Sequence, residues 1–127
     1  MLDAFASGFL VFAFLATALF QLALVFGAPL GEYAYGGQMP GKLPIPYRIA
    51  SAISFALTLA ISGHYLAQLG VVPKLLSEDL NQWVNWGLIG FAAVAALMNN
   101  ITKSAKEKRL WGSTTIAMLI AAIVVAL

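Results

Sequence analysis

The sequence predicts an all-α membrane protein, a bundle of four transmembrane helices running up-down-up-down. Three observations carry that expectation. Of 127 residues, 61% are hydrophobic and only 9% are charged, where a soluble domain carries about a quarter charged residues. So few polar side chains could not cover a water-facing surface, so lipid must be the solvent for much of the chain. The apolar residues also fall into four continuous runs, without the alternation of membrane barrel strands. The length fits one domain, residues 1–127, with no room for a second.

The first run extends from about Ala4 to Phe26 without a charge, roughly the 20 residues a bilayer core requires. It stops at Gly27-Ala28-Pro29, where Gly and Pro end a helix. It follows Met1-Leu2-Asp3 with no Lys or Arg and is too long for the apolar core of a cleavable signal, so it reads as a retained helix. The second run covers about Ile49 to Leu69 and closes at Gly70 and Pro73. The third, about Trp83 to Met98, ends at Asn99-Asn100, and the fourth covers about Leu110 to Leu127. These last two would be roughly 24–27 Å long, slightly under the hydrocarbon thickness.

Sidedness follows from Lys and Arg. The first loop, residues 27–48, holds Lys42 and Arg48; the third, residues 99–109, holds Lys103, Lys106, Lys108 and Arg109. The second loop has Lys74 alone, beside Glu78 and Asp79. Basic loops stay in the cytoplasm, so loops one and three are expected inside and both termini outside. Trp83 and Trp86 would then anchor the outer boundary, and Tyr33, Tyr35, Tyr47 and Trp111 the inner one. The formal net charge of +2 is accounted for by orientation and does not point to nucleic acid.

No cysteine is present, which excludes disulfides, thiolate nucleophiles and Cys-ligated metals. A single histidine, His64, leaves no multi-histidine metal or bis-His haem site within one chain. Neither a cofactor nor a metal is expected. His64 lies near the outer interface, where an interfacial hydrogen bond is the plain reading and a proton relay the sharper one.

Two groups of polar residues call for an explanation. On the second span Tyr47, Ser51, Ser54, Thr58, Ser62 and Tyr65 fall within a sector of roughly 80°. They would line a polar path, or let helices approach closely and hydrogen-bond, the better supported role for small hydroxyl residues. Ala92 and Ala96, and Ala117 and Ala121, repeat the small-residue spacing. Gln21 in the first span should point into the bundle, because an amide facing lipid leaves its donors unsatisfied.

The second group lies in the basic loops. Residues 27–48 are rich in Gly and Pro yet carry three tyrosines, too aromatic for a simple tether and suited to folding back on the helix ends. Glu32 and Arg48 bracket this loop and are expected to pair. Asn99 and Asn100 would cap the third helix, and Ser104 with Glu107 matches a capping box. Glu32, Arg48, Asn99, Glu107, Arg109 and Trp111 would stand at similar height. They form either a plain headgroup-facing surface or a site for a headgroup or small anion.

The segments GAPLGEYAYGG, PGKLP and MNNITKSAKEKRLWG resemble a family of small bacterial four-helix membrane proteins, whose loop motifs read GAPxGExxxGG…PGxLP and MNxxTxSxxEK. The matching residues of the second motif include Asn99, Thr102, Ser104, Glu107 and Lys108. The resemblance covers most of the chain and implies a bacterial inner membrane setting. It brings no chemistry with it.

Three function classes follow. The first is a non-enzymatic bundle that binds a lipid, a lipophilic small molecule or a partner protein, including a second copy of itself. The second is an oligomeric transporter or channel for an uncharged solute along the hydroxyl stripe; the absence of any mid-membrane charge disfavours ion coupling. The third is a membrane enzyme using Glu32 and Glu107 as acid and base with Arg48 or Arg109 holding an anion. No nucleophile–base pair or metal-ligand cluster supports it, and His64 is expected at the opposite face. The first class is the expectation carried forward.

Overall fold

The computed structural model describes residues 1–127 and contains four long helices. They are α1 (Leu2–Val25), α2 (Ile45–Leu69), α3 (Glu78–Ile101) and α4 (Ala105–Ala126). Each is long and apolar enough to cross a membrane. The chain is thus a four-helix bundle of a multi-pass membrane protein.

The helix bounds differ from hydropathy most at α3 and α4, expected at 83–98 and 110–127. They have 24 and 22 residues, about 33–36 Å, longer than a bilayer core. Capping chemistry sets the true starts. Ser77 Oγ accepts the N–H of Leu80 at 3.3 Å, ahead of Glu78 and Asp79 in the first turn. Ser104 Oγ accepts the N–H of Glu107 at 3.1 Å. Lys106, Lys108 and Arg109 therefore ride the first turns of α4 rather than a loop. α2 likewise begins at Ile45 instead of 49, with Pro46 in its first turn, where a missing N–H costs nothing.

The core is drawn from one face of each helix. Leu10, Phe14 and Ala18 of α1, four apart, are buried against Ile61 and Tyr65 of α2 and Met118, Ala121 and Ala122 of α4. The Phe14 and Tyr65 rings stack with centroids 6.0 Å apart. Small residues matter because helices in lipid gain little from the hydrophobic effect and rely on close packing. Ala92 and Ala96 of α3 are both buried. On α4 only Ala121 of the expected pair is; Ala117 is exposed, and the packed face uses Ala122 and Ala126. Elsewhere large apolar side chains such as Phe5, Phe12, Leu19 and Ile53 stand exposed, as lipid-facing residues do.

α1 lies against α2 and α4, and α3 against α4, while the backbones of α2 and α3 barely meet. That missing contact leaves the bundle open along one side, and the candidate site lies there.

Candidate functional site

The end of the bundle where residues 26–44 connect α1 to α2 carries a folded roof. The loop makes one turn of 3-10 helix, Gly31–Tyr33, followed by a left-handed turn, Tyr35–Gly37, whose three residues all have positive φ. The Gly31 N–H donates to the Gly41 carbonyl at 2.9 Å, closing the loop on itself. Gly31 has to be glycine: a Cβ there would lie 1.8 Å from the Met39 carbonyl oxygen. Leu24, Ala34 and Leu43 form a small buried cluster beneath. Tyr35 holds a φ of 51°, a backbone conformation that costs a bulky residue energy unless its surroundings fix it. They do: its hydroxyl meets Ser51 Oγ at 3.0 Å, and its ring packs edge-on against Tyr47 at 5.2 Å.

The start of α4 ties this roof down. Ser104 Oγ donates to the Glu32 carbonyl at 2.5 Å while accepting from Glu107 N–H. Lys106 pairs with the Glu32 carboxylate. Glu107 does not complete the expected capping box by turning back to Ser104. Its Oε2 instead accepts the Gly36 N–H at 3.2 Å, and the Ser104 N–H is taken by Thr102 Oγ1 at 3.2 Å. The expected Glu32–Arg48 pair is also replaced. Arg48 Nε donates to the Val25 carbonyl at 2.9 Å, satisfying a free acceptor at the end of α1, while Lys106 takes Glu32.

Beneath the roof is a cavity of about 650 Å³, within the usual range for small-molecule sites. α1 and α4 form its back, α2 and α3 its two walls. On α1 the lining runs from Phe14 to Gln21, roughly 10 Å of helix. Leu57, Phe91 and Met98 of the walls line it and are exposed, so the opening lies between α2 and α3 toward lipid. Its apolar depth is Phe14 and Met118; its polar end is Gln21, Tyr35, Gly36, Asn99 and Glu107. No three His, Asp or Glu side chains converge on one point; the charged side chains in the lining are Glu107 and, at the rim, Lys103.

No known protein family matches this chain, and no curated protein or solved structure matches it either. The geometry alone carries the functional argument.

Of the residues singled out in sequence, Gln21, Ser54, Thr58, Asn99, Glu107 and Trp111 come together around the cavity. Trp111 meets Phe20 edge-on at 5.2 Å. Asn99 spends its amide on the Ala95 carbonyl at 2.7 Å, one turn back in its own helix, and Asn100 bonds the Ala96 and Gly112 carbonyls at 2.7 and 3.0 Å. Ser51 and Ser62 lie outside the cavity; Ser62 Oγ donates to the Val11 carbonyl of α1 at 3.1 Å. Glu32 and Arg48 brace the roof. Arg109 is exposed and does not line the cavity.

A second polar group surrounds His64, whose interfacial hydrogen bond was expected from sequence although its partners Gln68, Asn81 and Asn85 were not. At the end of the bundle away from the roof, His64 Nε2–H donates to Asn85 Oδ1 at 2.7 Å. Gln68 and Asn81 exchange two amide hydrogen bonds at 2.7 and 2.9 Å, and Asn85 Nδ2 reaches Gln68 Oε1 at 3.3 Å. These side chains clamp α2 to α3 at the end opposite the opening. The signal was a four-residue polar spacing on each helix, His64/Gln68 and Asn81/Asn85, matching across the interface.

Proposed function

We propose that the protein is a non-enzymatic membrane binding protein that takes one amphiphilic, lipophilic molecule from the surrounding leaflet. The molecule's chain lies between α2 and α3, and its head sits under the roof formed by residues 31–38. The observation that supports this is the laterally open cavity with an apolar depth and a polar end. A clamp at one end of the α2–α3 seam and an opening at the other give a tail an entry from lipid without passing through water. The roof end carries six of the seven basic residues, so it faces the cytoplasm by the positive-inside rule, in a bacterial inner membrane.

A polar path along α2 has less support. Thr58 Oγ1 donates within its own helix, to the Ser54 carbonyl at 2.7 Å, and Ser62 across to Val11 of α1, so the stripe is not a continuous row of free hydroxyls.

Native mass spectrometry of the protein released from lipid nanodiscs tests the proposal. One retained amphiphile per chain is expected. Ala95→Trp, which fills the cavity from α3, should abolish retention while circular dichroism stays helical. An empty wild-type protein, or retention unaffected by the filled cavity, would overturn it.

A further inference from the structure

The head group that the cavity takes, on the binding proposal above, is set by the polar side chains at its roof end. Two acceptors that line the cavity are under-satisfied. Gln21 Oε1 is buried and has no partner. Glu107 is 7% exposed, and its carboxylate accepts one hydrogen bond from the protein, that of Gly36. The neighbouring Lys106 goes to Glu32 instead. Two of the lining hydroxyls give their protons elsewhere, Thr17 to the Ala13 carbonyl at 2.8 Å and Thr115 to the Trp111 carbonyl at 2.7 Å. Lys103, the lining cation, is exposed at the rim.

A buried carboxylate without a cation, lining the same cavity as an amide oxygen without a donor, is complementary to a charged donor group. We infer that the cavity selects an amphiphile whose head is a protonated primary amine. Its N–H groups donate to the Glu107 carboxylate and to Gln21 Oε1; an ammonium has three donors and so can serve both. The Trp111 ring in the lining adds a face that attracts a cation, whereas Lys106 Nζ already lies over the Tyr33 ring, 5.8 Å from its centroid. A free long-chain amine and the ethanolamine head of a phospholipid share this chemistry. In the second case Lys103 stands where a phosphate would emerge.

The test compares three probes of equal chain length in nanodiscs, read by native mass spectrometry. Dodecylamine offers charge and donors, dodecyltrimethylammonium charge without donors, and dodecanol a donor without charge. Dodecylamine should be retained about tenfold more than either, the scale of a charge-assisted hydrogen bond. Glu107→Gln still accepts from Gly36 N–H but lacks the charge, and should bring dodecylamine down to the dodecanol level without changing dodecanol. Gln21→Leu should lower dodecylamine retention independently.

Preferential retention of phosphatidylethanolamine over phosphatidylcholine would assign the head to a phospholipid; equal retention, with dodecylamine still preferred, would assign it to a free amine. Equal retention of the three probes, or an amine preference that survives Glu107→Gln, overturns the head-group assignment and leaves the cavity proposal standing. If no probe is retained, the binding proposal itself fails and the assignment with it.

Discussion

The Gly36 N–H donates to Glu107 Oε2 at 3.2 Å, joining positions 71 residues apart. This bond couples the roof over the cavity to the first turn of α4. Glu107 suits both ends of it: the positive end of a helix favours a carboxylate, and the half-buried Gly36 N–H gains an acceptor. One side chain thus holds the loop in place while lining the space below.

Glu107→Ala should detach the roof. The Gly36 N–H would lose its partner, which costs about 1–3 kcal/mol. Hydrogen exchange across residues 31–38 should accelerate, with α1 and α2 unchanged. Glu107→Gln should exchange like wild type. By contrast Lys106→Ala, which removes an exposed ion pair with Glu32, should change stability by less than about 1 kcal/mol.

Gly31→Ala should be damaging despite its small size. The added carbon would sit 1.8 Å from the Met39 carbonyl oxygen, backbone that cannot swing aside. Overpacking of this kind typically costs about 1–3 kcal/mol. A lowered melting temperature and faster proteolysis within residues 27–44 are expected. Gly8→Ala, with nothing near the new carbon, is the control.

The four spans were legible because each run meets lipid on one side, and hydropathy records that directly. The start of α3 was not, because Ser77 begins that helix several residues before the sequence becomes apolar. At α4 the Ser104 cap was readable, but hydropathy did not show that the helix runs on unbroken from it. Within the site, Gln21 was readable as inward-facing from the cost of an amide in lipid. The partners of Glu32 were not: Arg48 and Lys106 are equally plausible cations in sequence. Only the fold shows Arg48 occupied by Val25. The opening between α2 and α3 depends on which helices fail to touch, and no local pattern encodes that.

Asn85→Ala should loosen the α2–α3 clamp. It removes the acceptor of His64 and one donor to Gln68. Interhelical hydrogen bonds in membranes are worth about 0.6–2 kcal/mol, so a modest loss of stability is expected. A double-mutant cycle with His64→Ala should give a coupling of about 0.5–2 kcal/mol. A coupling near zero would mean the two side chains act independently. Spin labels on α2 and α3 at the clamped end should report a broader distance distribution in Asn85→Ala.

The absence of cysteine makes the orientation directly measurable, since any introduced thiol is the sole label site. Gln38 is exposed on the roof, and Leu75 is 95% exposed in the connection between α2 and α3 at the other end. Neither position carries one of the basic residues that set sidedness, so the substitutions leave the charge balance intact. In intact right-side-out vesicles, a membrane-impermeant maleimide should label Leu75→Cys and spare Gln38→Cys; permeabilisation should expose both. The opposite pattern would reverse the orientation, putting the roof and its basic residues outside. It would leave the bundle and its cavity unchanged, but the ligand would then come from the outer leaflet.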